Sequence, residues 1–257
     1  MGSQKFGDNV TMPFGSPLYG KPPYFYRGVQ DMIIPYETDA EPLRALLPPG
    51  IEVEGNRAEC IAWTRWIPFS AFGPYHEAFV MIKASFEGKR YLYNPVMVVD
   101  NEVALGVGRE VWGYPKKMAR FTRSWGDNTT GYGEQLLFKA ERPTGQPVLT
   151  ASMTCQKRAN PEDLGADCPF LSFRLIPDAE DVSKPRVAEL ISLELPVHFH
   201  TGPDGEMEFY SGPAELALKG GASDPWHLMA PDKIRGGFFS ITDFDLVPGR
   251  VVHDYLA

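Results

Sequence analysis

From residue 57 onwards, apolar and polar side chains alternate with a period of two, the pattern of strands with one buried face. Segments 78–86 (AFVMIKASF) and 90–99 (RYLYNPVMVV) flank Glu87-Gly88-Lys89, so a hairpin is predicted there. Residues 57–67 (RAECIAWTRWI), 131–140, 147–155, 169–176, 190–200, 206–211, 235–244 and 249–256 read as further strands. Two segments carry helix signals instead. Asp39 is placed to cap a helix running through Leu47, where Pro48-Pro49 stops it. Asn101 is placed to cap a second, with Val103, Val107 and Val111 on one face and Gly113 near its end. Many strands and few helices predict an α+β fold, mainly antiparallel, with the sheet curled into a barrel. No linker or repeat divides residues 1–257, so one domain is expected. Residues 1–24, polar and proline-rich, read as an N-terminal arm lying over the body or over a partner subunit.

Charge and composition narrow the function. The 257 residues hold 25 Lys and Arg against 33 Asp and Glu, a net charge of −8. That balance argues against a nucleic-acid partner, which needs a basic face. No apolar run reaches the roughly 18 residues of a membrane span, so none is expected. The opening MGSQKFGDNV has no apolar signal segment, and Phe6 sits where a myristoylation motif wants Ser or Thr. Cys60, Cys155 and Cys168 are an odd number without a CxxC pair, read as free thiols of a cytoplasmic protein. His198 and His200 share one strand face without a suggestive third ligand, so no metal is expected.

The segment richest in chemistry is Gly108-Arg-Glu-Val-Trp-Gly-Tyr-Pro-Lys-Lys-Met-Ala119. Spacing alone leaves two readings of Lys116-Lys117. They are a solvated pair in a turn, or they include an amine that attacks a carbonyl to form a Schiff base. A free lysine is almost wholly protonated at neutral pH, and bringing it from ~10.4 to about 7 takes about 4–5 kcal/mol of bias against the ammonium. Apolar burial supplies such a bias, and a neighbouring cation adds to it. Adjacent side chains diverge, so desolvation of Lys116 is expected to matter more than repulsion from Lys117.

These residues resemble the acetoacetate decarboxylase superfamily. The resemblance rests on Asp100-Asn101-Glu102, Gly108-Arg109-Glu110 and Tyr114-Pro115-Lys116-Lys117. It extends to Tyr36-Glu37-Thr38-Asp39 with Leu43-Arg44, Pro74-Tyr75-His76-Glu77, Thr201-Gly202-Pro203 and Asp254-Tyr255-Leu256. It implies an antiparallel barrel or cone, usually in a homo-oligomer, with no metal or organic cofactor because the protonated imine is the electron sink. By resemblance Lys116 is the Schiff-base lysine, Lys117 its neighbour, and Glu77 an acid/base group with Tyr75 beside it. Trp112, Tyr114 and Met97 are candidate walls of the substrate pocket.

Three departures bear on the substrate. The arginine that decarboxylases carry before the Tyr-x-Thr-Asp segment is expected at position 29, which is Val29; Arg27 is the nearest candidate. Their strand glutamate falls near Ala62, with Glu59 available across a gap. Trp112 stands where a small residue is expected and can close part of the pocket. These changes affect recognition of a β-keto carboxylate while keeping the imine chemistry. The expected activity is therefore that of a lyase on pyruvate or a related 2-oxo acid, an aldolase-dehydratase or a hydratase. Acetoacetate decarboxylation and a non-catalytic small-molecule binding barrel are the alternatives.

Overall fold

The computed structural model describes residues 10–126, 129 and 131–257. The predicted hairpin forms from strands Tyr75–Phe86 and Lys89–Val99. Glu87 and Gly88 both take positive φ, 49° and 75°, as a two-residue turn matched to strand twist requires. The strand Arg57–Ile67 has the bounds its alternation implies.

The larger sheet runs, neighbour by neighbour, Lys157–Arg158, Phe209–Gly212, Gly237–Leu246, Tyr24–Asp39, Arg57–Ile67, Tyr75–Phe86, Lys89–Val99, Phe170–Pro177, Pro185–Leu193 and Arg250–Asp254. Pairings are antiparallel except where Lys89–Val99 meets Phe170–Pro177 and the short strand Lys116–Met118, both parallel. A second sheet has the order Ala214–Leu218, Pro147–Thr154, Gln135–Glu141, Arg120–Arg123. The first and last strands of the larger sheet do not pair with each other among the described residues, so the expected closure into a barrel is not observed.

Both faces of the central strands are buried, and the period of two decides what each face carries. Met32, Ile34, Ala62, Ala78 and Val80 pack with Leu136, Phe138, Leu149 and Ala151 of the second sheet. Ile33, Trp63, Phe79 and Met97 point the other way, into a second cluster with Phe209 and Phe244. This second face carries the site.

The first of the two predicted helices is shorter than expected. Asp39 accepts from the Glu41 amide at 3.0 Å, but only the 3-10 turn Pro42–Leu46 forms after it. Pro48 holds the preceding Leu47 extended, at ψ 131°, which ends the turn there. Asn101 caps as expected, accepting from the Ala104 amide at 2.9 Å. The α-helix Glu102–Val107 then widens into the π-helical turn Gly108–Trp112, and Gly113 ends it at φ 73°. Within the arm, Thr11 and Tyr19 donate to Glu110 on that turn, so its described part lies over the body of its own chain. Residues 1–9 of the arm, with the Phe6 position, lie outside the described residues. Among the described residues no helix is long and apolar enough to cross a membrane.

Candidate active site

A row of charges crosses the buried face at one register. Asp31 pairs with Arg65, and Arg65 with Glu77, on three neighbouring strands. Arg65 donates through Nε and Nη2 to the two Asp31 oxygens at 2.7 and 3.3 Å, while its Nη1 lies 3.8 Å from Glu77 Oε1. On the other Glu77 oxygen sits Lys116 Nζ, 2.7 Å from Oε2, with both side chains only 6% exposed. Signs thus alternate along Asp31, Arg65, Glu77 and Lys116, which is what allows four charges to share a buried face.

Local geometry explains how Lys116 arrives there. Pro115 redirects the chain after the π-helical turn, and Lys116–Met118 pairs with Met97–Val99. Arg109 Nη1 donates to the Lys116 carbonyl at 3.1 Å, fixing the start of that strand. Alternation then sends Lys116 inward and Lys117 outward. Lys117 pairs with Asp224 at 3.0 Å on the far side, so it is not a neighbour of the Lys116 amine.

Gly108 is what leaves room for the lysine stem. Its φ of −60° is ordinary helix, so the residue is not needed for its backbone. A Cβ placed there would stand 2.6 Å from Lys116 Cδ and 2.8 Å from Cε. Gly108→Ala is therefore expected to fold with a near-normal melting temperature while displacing the amine. Adduct formation at Lys116, followed by mass spectrometry, is expected to slow by about 10²-fold, the scale of a misplacement near 1 Å.

Tyr75, Glu77, Phe79 and Met81, alternate residues of one strand, line a chamber of about 40 Å³ around the amine, with Met97 and Tyr114. The Tyr75 and Tyr114 rings lie 5.8 and 6.0 Å from Nζ. Tyr75 Oη donates to Tyr26 Oη at 3.1 Å. Burial pushes the Tyr26, Tyr75 and Tyr114 phenols well above the ordinary tyrosine range, so all three are neutral hydroxyls. Burial also raises the Asp31 carboxyl, against the lowering effect of Arg65. For Arg65 burial disfavours the charge, but Asp31 and Glu77 outweigh it and hold the guanidinium protonated.

The sequence-derived candidates divide accordingly. Lys116, Glu77, Tyr75, Tyr114 and Met97 meet in the chamber. Arg27 does not reach it; it bonds the Tyr26 and Phe244 carbonyls and Asp245 at the surface. Val29 is fully buried in the apolar cluster of the site face. Glu59 is tied to Lys83 and Arg235, and Ala62 faces the second sheet. Trp112 is buried behind the site, donating to the Val247 carbonyl at 3.1 Å, and does not wall the chamber. His76 points away from Glu77 and bonds Asp100 at 2.7 Å. No His, Cys, Asp and Glu cluster suited to a metal occurs among the described residues. Sequence reading missed Arg65 and Asp31; the available signal was an arginine between Trp63 and Ile67 on one face of the apolar strand 57–67.

Two mainly antiparallel sheets and a buried lysine–carboxylate pair beside a Tyr-Pro turn define the class of this chain. The family model for acetoacetate decarboxylase (ADC) matches residues 11–256, and the chain belongs to that family. It is 31% identical over 262 residues to acetoacetate decarboxylase 1 of Mesorhizobium japonicum, covering 98% of this chain and 96% of that relative. A solved acetoacetate decarboxylase structure superimposes with a TM-score of 0.83 at 26% identity, covering 96% of each chain. The enduracididine biosynthesis enzyme MppR, complexed with the condensation product of pyruvate and imidazole 4-carboxaldehyde, shares the fold with a TM-score of 0.76 at 22% identity. That match covers 96% of this chain and 97% of MppR.

Proposed function

We propose that this chain is a Schiff-base lyase acting on pyruvate or a related 2-oxo acid, as an aldolase-dehydratase or as a hydratase of an unsaturated 2-oxo acid. The observation that carries the reading is the 2.7 Å contact between Lys116 Nζ and Glu77 Oε2, buried together. A carboxylate on the amine can take the proton that the nitrogen must lose before it attacks. The neutral amine adds to the C2 carbonyl, and Glu77 returns its proton to the departing hydroxyl, whose loss as water leaves a protonated imine and a free Glu77 carboxylate. Glu77 then removes a proton from C3, and the electron pair of that C–H bond moves towards the iminium nitrogen to form an enamine. The enamine carbon attacks an aldehyde, whose oxygen takes from Glu77 the proton that came from C3. Glu77 then takes the second C3 proton and passes it to that hydroxyl, which leaves as water and gives the conjugated product. Hydrolysis of the imine frees it and restores the lysine. Hydration of a 2-oxo-3-enoate is the dehydration step reversed. Tyr75, a neutral hydroxyl, orders the water that leaves or enters. Val29, in place of the arginine expected of a decarboxylase, supports this reading, as does the capacity of the MppR fold to hold pyruvate.

Decarboxylation of acetoacetate is the second reading. It is favoured by 31% identity over nearly the whole chain to a protein named as an acetoacetate decarboxylase. In that case the imine draws the electron pair of the C–CO₂ bond, and Glu77 is the group that protonates the resulting enamine. The two readings part in one assay. Purified protein is given acetoacetate, with carbon dioxide followed, and separately pyruvate with an aromatic aldehyde, with the conjugated product followed by absorbance. Conjugated product without carbon dioxide release is expected; rapid carbon dioxide release alone would select the decarboxylase.

A further inference from the structure

We propose that Arg65, held in place by Asp31, binds the substrate carboxylate, and that the cavity beyond it takes an apolar or aromatic tail. The substrate class is then a bulky 2-oxo acid. This inference rests on the imine reading and adds to it the group that recognises the acid and the space that selects the tail.

Three observations carry it. The chamber around Lys116 Nζ holds about 40 Å³. That is far below the roughly 300–1,000 Å³ of pockets that enclose larger ligands, so the tail of a bulky oxo acid bonded to Nζ has to lie elsewhere. Next to it lies a cavity of about 680 Å³, and the two share Arg65, Phe170, Leu193, Leu195 and Phe244 as lining. Such a volume falls among pockets of roughly 300–1,000 Å³ that enclose drug-sized ligands, and it is far larger than a four-carbon keto acid needs.

The second observation is the state of Arg65. Its Nε and Nη2 are engaged by Asp31, whereas Nη1 makes no hydrogen bond among the described residues. The 3.8 Å separation of Nη1 from Glu77 is beyond hydrogen-bonding range. An oriented guanidinium with donors to spare, at the junction of the two spaces, is suited to a carboxylate. The Trp63 indole, on the same strand face, is directed at Asp31 and helps to hold the carboxylate that orients Arg65.

The third is the composition of the larger space. Trp63, Phe170, Phe199, Phe209 and Phe244 give it aromatic walls, while Asp31, Ser240 and Thr242 gather by Arg65. Thr242 Oγ1 donates to Asp31 at 3.4 Å, completing the hold on the carboxylate that orients Arg65. Asp31 and Arg65 lie at the lysine end, and beyond them the walls are mostly apolar, with Lys89, Asp167 and Glu194 also on the lining.

The test compares borohydride-trapped adducts at Lys116 for pyruvate, its neutral methyl ester and 2-oxo-4-phenylbutanoate, by intact mass over a concentration series. The wild type is expected to be half-saturated by the phenyl acid at a concentration about tenfold below that for pyruvate. Arg65→Gln is expected to lower the preference for pyruvate over its ester by about 10- to 100-fold, the worth of a charge-assisted hydrogen bond. Because that variant alters a buried pair, Ala166→Phe on the loop lining the cavity gives an independent reading. It is expected to lower the preference for the phenyl acid over pyruvate about tenfold. Ratios unmoved by both substitutions, with the adduct still on Lys116, would overturn this inference and leave the imine reading standing. Absence of a wild-type adduct with every probe would instead overturn the imine reading, and this inference with it.

Discussion

Replacing Lys116 with alanine is expected to abolish the trapped adduct and to lower turnover by on the order of 10⁴-fold or more, as removal of a covalent nucleophile does. Lys117 offers no substitute, because its amine is turned to Asp224 on the opposite face of the strand. The variant also leaves Glu77 buried without its 2.7 Å partner. Breaking a buried pair costs roughly 3–5 kcal/mol, and Arg65 at 3.8 Å offsets part of it, so the lower end is expected. Denaturant titration alongside the adduct assay checks both effects in one preparation. Loss of stability with full retention of adduct would move the nucleophile elsewhere.

Glu77→Gln is expected to separate adduct from turnover. The amide keeps the shape of the side chain but cannot take up a proton, so the steps at C3 slow by about 10²- to 10⁴-fold, the scale of a general base. Adduct formation is expected to persist, because the substitution leaves the Lys116 nucleophile in its place in the chamber. Single-turnover trapping and steady-state rates on the same sample read the two quantities apart. Equal loss of both would contradict the division of roles between Lys116 and Glu77.

Much of the fold was legible where one strand face differs from the other in chemistry. Arg57–Ile67 and the Phe86 to Lys89 turn followed from alternation and from Glu87-Gly88. The strand Tyr24–Asp39 did not, because it is buried on both faces from Val29 to Tyr36. Burial on both faces removes the alternation, and Asp31 and Pro35 interrupt the apolar run that would replace it. The predicted strand starts at residue 78, whereas the observed one starts at Tyr75, directly after Gly73-Pro74.

The site was legible to the same degree. The inward Lys116 and outward Lys117 follow from strand geometry alone, and Tyr75 and Glu77 share a face for the same reason. Arg65 and Asp31 lie 34 positions apart in sequence, and each looks misplaced in an apolar segment until the register sets them opposite each other. Arg27 was the nearer arginine to the expected position, but the Tyr26 carbonyl and Asp245 hold it at the surface. What nearness in sequence could not supply was the cross-strand partner that makes burial of a charge tolerable.

The central claim is that the Lys116 amine forms an imine with an oxo acid. Its most direct test is borohydride reduction of the wild-type protein with pyruvate, then peptide mapping by mass spectrometry. A single reduced adduct on the peptide containing Lys116, located on that residue and absent in Lys116→Ala, is the result expected. An adduct on Lys117 or on surface lysines alone, undiminished in Lys116→Ala, would contradict it.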